Sequence, residues 1–586
     1  MDMDGNLIFA SSEERFTKNK NDLGIPKETI NYILNNFLNL QITAICVGDK
    51  LDMQCSTADY LNYFYFENYK KRNFIFLKKK FFFIFVILKE IIFRLIKKKV
   101  SAKNVFKINL KSLGLTSKVY YFDHHYSHAC SAYYSNNFNG GHVLTMDGEG
   151  NGISGSFWKV KKDKLKKICT FDRKSSLGIS YRTITSFLNF KPNEHEGKVT
   201  GLSSYSLKNN NILNFFNSKI FFQKNNNKII NKISEKYFLS FGSSNNRSII
   251  SLMNTFLSIF KCNNYKDFYT AVLFFSAKKI LLKMGLAHED TINFKKKISY
   301  AIQFVTEKTI LSFLNNNLKN KTNLYLAGGL FANVKLNSEI LKNKFINNLY
   351  IFPAMGDEGL SVGACYAYLI KFKKTIIKKE FNPYLGYKVK KISKYLDFKK
   401  LDINIHKKTD FLAKSLFQDK IIGIVFGKSE FGPRALGHRS IIACPKNKKV
   451  NEYLNKRLGR YEYMPFAPVT IKKNFYKVFN PINKKNLVNN KYMTLVNQIR
   501  NNNLNIDGVI HVDNSARPQI LDKSSNPLLY KLLAHYYKTY KIPCLINTSF
   551  NDHGLPIIND ENDALEALRK SRVDILLIED DIVVNK

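Results

Sequence analysis

The segment Gly427-Lys428-Ser429-Glu430-Phe431-Gly432-Pro433-Arg434-Ala435-Leu436-Gly437-His438-Arg439-Ser440 follows an apolar run over residues 421–426. The run reads as a strand, and the glycines and proline after it read as tight turns. Glu430, Arg434 and Arg439 are thereby confined to a short, bounded stretch. An arginine fork binds phosphate or carboxylate through two parallel hydrogen bonds. A single surface cation is ordinarily just solvated, so this stretch needs company before it counts as a site.

Company lies downstream. Lys456-Arg457-Leu458-Gly459-Arg460 precedes Met464-Pro465-Phe466-Ala467-Pro468, and Val512-Asp513-Asn514-Ser515-Ala516-Arg517-Pro518 follows. A second apolar run, 543–546, leads into Asn547-Thr548-Ser549-Phe550-Asn551. Arg434, Arg439, Lys456, Arg457 and Arg517 are candidate anion ligands, with small polar donors beside them. Together they would serve a nucleoside triphosphate and a second small anion.

Upstream the chemistry changes. Asp123-His124-His125-Tyr126-Ser127-His128-Ala129 spaces His124 and His128 four apart, one turn of a helix, so both imidazoles share a face. Such pairs also arise by chance on helix surfaces. Carboxylates would complete a metal site. Val143-Leu144-Thr145-Met146-Asp147-Gly148 and Ile351-Phe352-Pro353-Ala354-Met355-Gly356-Asp357 are apolar strands ending in Asp. Ligands gather at the carboxyl ends of strands in open α/β sheets, although Asp beside Gly is also a common turn. Two His and two Asp suit Fe(II), Mn(II) or Zn(II). The turn Gly148-Glu149-Gly150-Asn151-Gly152 can bring backbone N–H groups to a phosphate. Ala327-Gly328-Gly329-Leu330-Phe331-Ala332-Asn333 opens a helix after a strand, a setting for nucleotide contacts through Gly328, Gly329 and Asn333.

The chain has 586 residues and 45% hydrophobic composition, enough for about two to four globular domains. Strands are expected at 7–10 and 324–326, helices at 26–40 and across 267–316, and a Lys-rich helical region at 56–117. An Asn- and Lys-rich stretch at 207–248 reads as an exposed insertion with loose loops. The Lys-rich connection 371–395, with Asn382-Pro383, reads as a linker between an N-terminal domain, 1–370, and a C-terminal domain, 396–586. Lys plus Arg number 92 against 46 for Asp plus Glu, a net of +46. The excess is spread along the chain with many Asn, Ile, Phe and Tyr, the residues of A/T-rich codons, and is read as composition rather than a polyanion surface. Eight Cys without a Cys-x-x-Cys pair fit free thiols in a reducing cytoplasm. No secretory signal is evident. Residues 81–96 are apolar but carry Lys89, Glu90 and Arg94, where a spanning helix needs about 20 mostly apolar residues. They read as a buried or amphipathic helix.

In this order, these segments resemble the NodU/CmcH carbamoyltransferase family. The resemblance is carried by Glu13-Glu14-Arg15-Phe16-Thr17, His124 to Ala129, Asp147-Gly148, Glu196-Gly197-Lys198-Val199, Ala327 to Asn333, Gly356-Asp357-Glu358-Gly359, Glu430 to Ser440, Pro465 to Pro468, Ala516-Arg517-Pro518 and Asn547 to Asn551. It spans nearly the whole chain. It implies an α/β (α+β) chain: an N-terminal actin/Hsp70-like (ASKHA) domain and a C-terminal YrdC-like domain. The second would form carbamoyl-adenylate from carbamoyl phosphate and ATP with Mg²⁺. The first would pass the carbamoyl group to a hydroxyl of a sugar, glycan or secondary metabolite. His124, His128, Asp147 and Asp357 would ligate a divalent metal, iron by family analogy, with Zn²⁺ or Mn²⁺ as alternatives. Arg434, Arg439, Lys456, Arg457 and Arg517 would neutralise phosphates; Ser549 and Asn551 would hydrogen-bond the nucleotide or carbamoyl group. Lys198 and Glu430 belong to the motifs without an assigned role. The expected partners are ATP, carbamoyl phosphate and a hydroxyl-bearing acceptor, with no nucleic acid and no transmembrane segment, in the cytoplasm; a homodimer is compatible.

The family pattern begins one strand and a His-Asp turn earlier than the segment Asp4-Gly5-Asn6-Leu7, which would leave a sheet edge near the metal ligands. A misassigned start or a truncated, inactive binding protein follows as an alternative. A tRNA threonylcarbamoyl-type enzyme is the other rival, argued against by the fused domain order and the Glu430–Gly437 segment.

Overall fold

The described residues form two mixed α/β halves, each built on its own sheet. The computed structural model describes all residues except 23, 38–40, 51–53, 56–99, 206–207, 243–276, 374–375, 391, 393–396, 461–463, 483–486 and 501–503. In the N-terminal half a short parallel pair, β1 (Ile45–Val47) and β2 (Val119–Tyr121), stands beside a five-stranded sheet. The sheet comprises β3 (His142–Gly150), β4 (Ile153–Lys161), β5 (Lys164–Asp172), β6 (Thr322–Ala327) and β7 (Ile346–Ile351) in the order β7-β6-β3-β4-β5. β7, β6 and β3 run parallel, whereas β3-β4-β5 is an antiparallel meander. Parallel strands covered on both faces read as continuous apolar runs, and Leu324, Tyr325, Leu326 and Ala327 of β6 are all fully buried. Their side chains divide between two cores. Leu324 and Leu326 join one core with Leu144 and Met146, and Tyr325 and Ala327 join the other with Val143 and Phe352.

Helices supply the covers: α1 (His124–Tyr134), α2 (Leu177–Phe187), α3 (Glu196–Leu202), α4 (Ile292–Asn317), α5 (Val334–Leu341) and α6 (Leu360–Phe372). α1 and α6 meet closely, because a Cβ on Gly363 would lie 1.8 Å from the Ser127 carbonyl oxygen. Only glycine permits that approach.

The C-terminal half begins with β8 (Tyr384–Lys388). It continues with β9 (Phe398–Leu401), β10 (Ile422–Val425), β11 (Lys428–Glu430) and β12 (Arg439–Ala443). Further strands are β13 (Ala467–Thr470), β14 (Gln519–Ile520), β15 (Leu545–Ser549), β16 (Ile575–Ile578) and β17 (Asp581–Asn585). Eight of these form a mixed sheet in the order β9-β17-β16-β10-β12-β15-β13-β14, and β8 pairs with β11 apart from it. The mixed α/β class expected from the sequence is therefore present.

Several local expectations change. Residues 7–10 make no strand; they run as an arm whose Ala10 N–H donates to the Leu385 carbonyl at 3.1 Å. The helix expected at 26–40 spans Lys27–Asn36, and the expected residues 38–40 lie outside the described residues. Of 56–117, only a helix at Ala102–Ser112 and its flanks are described, so the apolar stretch 81–96 also lies outside. The described part of 207–248 is structured, not loose. It holds a helix (Asn210–Lys219), a hairpin (Ile220–Gln223 with Lys228–Asn231) and a second helix (Lys232–Gly242), tied to the body by Asn231 Nδ2 donating to the Ser176 carbonyl at 2.7 Å. Residues 371–395, expected as linker, contain β8. Among the described residues no helix is long and apolar enough to cross a membrane.

Candidate active site: a histidine–aspartate cluster and a paired-arginine corner

Asp123 starts α1 by accepting the Tyr126 N–H, a cap worth about 1 kcal/mol. The helix then points His124 and His128 at the carboxyl ends of β3 and β7. Ligand-type atoms of His124, His128, Asp147 and Asp357 lie within 4.8 Å of one another. His128 Nε2 is 3.2 Å from Asp147 Oδ2 and 3.6 Å from Asp357 Oδ1. His124 Nε2 is 4.0 and 3.5 Å from the same two oxygens. His128 is wholly buried, and its two ring nitrogens, like His124 Nε2, lack hydrogen-bond partners. Buried polar atoms are ordinarily satisfied, so this donor set fits a metal ion. Asp357 is the open corner, with a side chain 71% exposed.

The surroundings hold the set in place. His124 Nδ1 faces Asp49 Oδ2 at 3.7 Å, and its backbone N–H donates to Asn151 Oδ1 at 2.8 Å. Asn151 Nδ2 in turn donates to Asp49 Oδ1 at 2.8 Å. Asp147 accepts the Gly148 N–H at 2.6 Å and the Gly329 N–H at 3.2 Å. Gly150 is required for space, since a Cβ there would lie 2.2 Å from His124 Cδ2. Burial opposes the charging of His124, but Asp147, Asp49 and Asp357 outweigh it and hold the imidazole up to about 10. Burial likewise opposes charge on Asp147, yet the two neighbouring imidazoles keep it well below the usual carboxylate range. His125 plays no part. It contacts Thr145 Oγ1 at 3.0 Å and the Ile153 carbonyl at 3.2 Å, and burial beside two other imidazoles pushes it down to about 3.

Gly328 and Gly329 stand at this cluster. Gly328 has φ +102°, and a Cβ there would lie 2.1 Å from the Met146 carbonyl oxygen. Asn333, expected to touch nucleotide, is buried and engaged. Its Oδ1 accepts the Leu336 N–H at 3.1 Å to cap α5, and its Nδ2 donates to Gln303 Oε1 at 2.8 Å. Lys198 is buried in α3. Three residues on, a Cβ on Gly201 would meet Met464 Cγ at 2.2 Å, so α3 abuts the C-terminal half.

In the C-terminal half, Glu430 Oε1 accepts the backbone N–H groups of Leu436 (2.6 Å), His438 (2.8 Å) and Arg439 (3.1 Å), drawing the loop between β11 and β12 into a ring. Asn547 Nδ2 donates to the Ala435 carbonyl at 3.1 Å and to Gln519 Oε1 at 2.6 Å, while Gln519 Nε2 donates to the Leu436 carbonyl at 2.8 Å. These bonds bring Arg434 beside Arg517. Burial pushes Arg434 down to about 10; burial and then the charge of Arg434 push Arg517 far down. Among the described residues neither guanidinium has a hydrogen bond or an ion pair.

The other expected anion ligands divide differently. Arg439 is wholly buried, and its donors go to the carbonyls of Asn559, Phe426, His438, Tyr387 and Gly427 at 2.9–3.3 Å. That uses every N–H of the fork, so Arg439 fastens the core and is corrected from phosphate ligand to structural residue. Arg457 is likewise corrected, being held bidentately by Asp574 at 2.9 and 3.1 Å. Lys456 is exposed. Ser549 and Asn551 are gathered by a residue the sequence did not single out as a ligand. Arg460 Nη2 donates to Ser549 Oγ at 3.2 Å and Asn551 Oδ1 at 2.7 Å, and its Nη1 to Thr548 Oγ1 at 2.9 Å. Asp49 was missed too, although 44–49 shows the same apolar strand ending in Asp as 143–147.

Comparison with known proteins places this geometry. Family profiles described as carbamoyltransferase N-terminus and carbamoyltransferase C-terminus match residues 1–366 and 413–586. The chain is 31% identical over 591 residues to uncharacterized protein MJ1051 of Methanocaldococcus jannaschii, covering 98% of this chain and 94% of that one. It is 25% identical over 475 residues to nodulation protein NolO of Bradyrhizobium diazoefficiens (78% and 77%). It is 29% identical over 269 residues to nodulation protein U of Rhizobium tropici (46% and 45%). Among solved structures, full-length HypF in its phosphate- and nucleotide-bound form overlaps 30% of this chain and 26% of that one, at 18% identity and a TM-score of 0.22, too little for an argument. The two profile matches, one for each half, and the relatives aligned across both halves establish that the chain belongs to the NodU/CmcH-type carbamoyltransferase family.

Proposed function

We propose that the chain is an O-carbamoyltransferase that activates carbamoyl phosphate with ATP in its C-terminal, YrdC-like half and transfers the carbamoyl group in its N-terminal, ASKHA-like half. The observation that carries this reading is the Arg434–Arg517 pair. Two cations brought together in a half-buried corner without a carboxylate are costly unless an anion joins them. Phosphate groups are the natural guests of such forks.

The balance of atoms sets two stages, activation and then transfer. Carbamoyl phosphate loses phosphate to water and leaves carbamate. A carbamate oxygen attacks the α-phosphorus of Mg²⁺-bound ATP, and the bond to pyrophosphate breaks. Arg434 and Arg517 neutralise the phosphate oxygens, and Ser549 and Asn551, pre-set by Arg460, hydrogen-bond the nucleotide or carbamoyl group. An acceptor hydroxyl then attacks the carbamoyl carbonyl and AMP leaves. Nitrogen donation makes a carbamoyl carbonyl a poor electrophile, which is why a good leaving group is needed.

His124, His128, Asp147 and Asp357 would hold a divalent ion, with Fe²⁺, Mn²⁺ or Zn²⁺ suited to the donors. Such an ion supplies a Lewis acid that stabilises negative charge developing on an acyl oxygen. Asp49 and Asn151 orient His124, and the Gly148 and Gly329 N–H groups fix the Asp147 carboxylate. The acceptor class is a hydroxyl-bearing sugar, glycan or secondary metabolite, and the substrates place the work in the cytoplasm. Pyrophosphate release from ATP, measured with and without carbamoyl phosphate on metal-loaded protein, tests the reading. No carbamoyl-dependent release from folded, loaded protein would sink it.

A further inference from the structure

The segment Glu13-Glu14-Arg15-Phe16-Thr17 has no part in the reaction above, yet Arg15 is only 4% exposed. Glu13 anchors the segment by accepting the Glu28 and Thr29 N–H groups at 2.8 and 2.9 Å and the Thr29 hydroxyl at 2.7 Å. From there Arg15 Nη2 crosses to donate to the Gly432 carbonyl at 3.1 Å. Burial strips water from the guanidinium, and the compensating attractions come from Glu430, then Glu14, then Glu358. Arg15 Nη1 and Glu430 Oε2 are both buried without a hydrogen-bond partner.

The position of this contact gives it meaning. Gly432 has φ +120°, and a Cβ there would approach the Pro353 carbonyl oxygen to 3.1 Å. The loop that carries Arg434 thus lies directly on the loop that carries Asp357. Arg15 bonds the first through Gly432 and is attracted to it through Glu430, and is drawn to the second through Glu358. A buried guanidinium with several donors and a fixed plane is suited to fastening two backbone segments, whereas an ammonium on a flexible stem is not.

Resting on the two-step reading above, the geometry points to Arg15 as a positioning residue: it holds the Arg434 loop in register against the Asp357 loop, so that adenylation and transfer share one fixed alignment. Small displacements of this kind cost about a hundredfold in rate when they misplace reacting groups.

The test uses the full chain as wild type, Arg15→Met and Arg15→Lys. Hydrogen–deuterium exchange is followed at 353–359 and 430–437, with Ile575–Ile578 as a control strand. Pyrophosphate release is measured in parallel at varied carbamoyl phosphate. Arg15→Met is expected to speed exchange in both loops together by about tenfold, leave the control strand protected, and raise KM for carbamoyl phosphate about tenfold more than it lowers kcat. Arg15→Lys is expected to recover part of both effects. Exchange that rises in the control strand as well, or in neither loop, overturns the proposal, as does an unchanged KM in a protein that shows wild-type release. If wild type releases no pyrophosphate, the two-step reading fails, and the exchange comparison alone decides the role of Arg15.

Discussion

Burial and then the charge of Arg434 oppose the charge on Arg517 and push its guanidinium well below its ordinary range. Removing one of the pair therefore separates activity from stability. Arg517→Met is expected to lower pyrophosphate release at least about a hundredfold while leaving Tm unchanged or higher, by up to about 1–2 kcal/mol of relieved repulsion. The sign follows from the direction of the shift. A cation whose folded pKa is depressed is a burden at every pH below that pKa, so the gain should be present at neutral pH and shrink above about pH 10, where Arg434 begins to discharge. A Tm clearly below wild type at pH 7 would show that the pair is held by something other than an awaited anion.

The histidine cluster predicts a proton count. Without metal His124 is held protonated up to about pH 10, and that imidazolium stabilises the fold below its ordinary value of 6.5 and ceases to as pH rises through about 10. A metal ligand must be neutral imidazole. Uptake of Zn²⁺ or Mn²⁺ at pH 7, followed by calorimetry in buffers of different ionisation enthalpy, should release about one to two protons per ion. Release of none would mean that His124 and His128 are not ligands.

Space around His124 can be tested with one methyl group. Gly150→Ala would drive a Cβ into the ring and should weaken metal binding about 10–100-fold. Gly152→Ala meets nothing within 4 Å and bears only the strain of φ +84°, about 1–2 kcal/mol of stability with unaltered metal affinity. Equal metal affinity in the two variants would refute the packing argument.

Arginines of the C-terminal half should sort by partner. Arg439→Met abandons five carbonyls in the core and is expected to cost at least about 3 kcal/mol, seen as a large fall in Tm or loss of soluble protein. Arg457→Ala breaks a pair with Asp574 and should cost about 1 kcal/mol with little change in KM for ATP. A selective rise in the KM for ATP in Arg457→Ala would restore it to the phosphate ligands.

These contrasts mark what can be read from a sequence. Asp147 and Asp357 were legible because an apolar run ending in Asp beside Gly announces a strand end, and His124 and His128 because four residues make a helical turn. Asp49 carries the first signal, but the 75 residues that separate it from His124 conceal that both converge on one imidazole. Arg434 and Arg439 are five apart in one motif and look equivalent as letters. Among the described residues Arg434 has no hydrogen bond or ion pair, whereas Arg439 is saturated by carbonyls of Asn559, Phe426, His438, Tyr387 and Gly427, which the fold gathers from both sides of it in the chain. Asn333 misled for a related reason, since a side chain suited to a ligand is equally suited to a helix cap.

The bond from Arg15 to Gly432 joins residues 417 positions apart. At a synthesis rate of about 5–20 residues per second, the arm leaves the ribosome roughly 20–80 s before its acceptor exists. During that interval the Arg15 guanidinium has no C-terminal partner, and the segment is a ready substrate for chaperones and proteases. Docking of the arm is therefore a late event in the birth of the enzyme, and it couples completion of the Arg434 loop to survival of the arm.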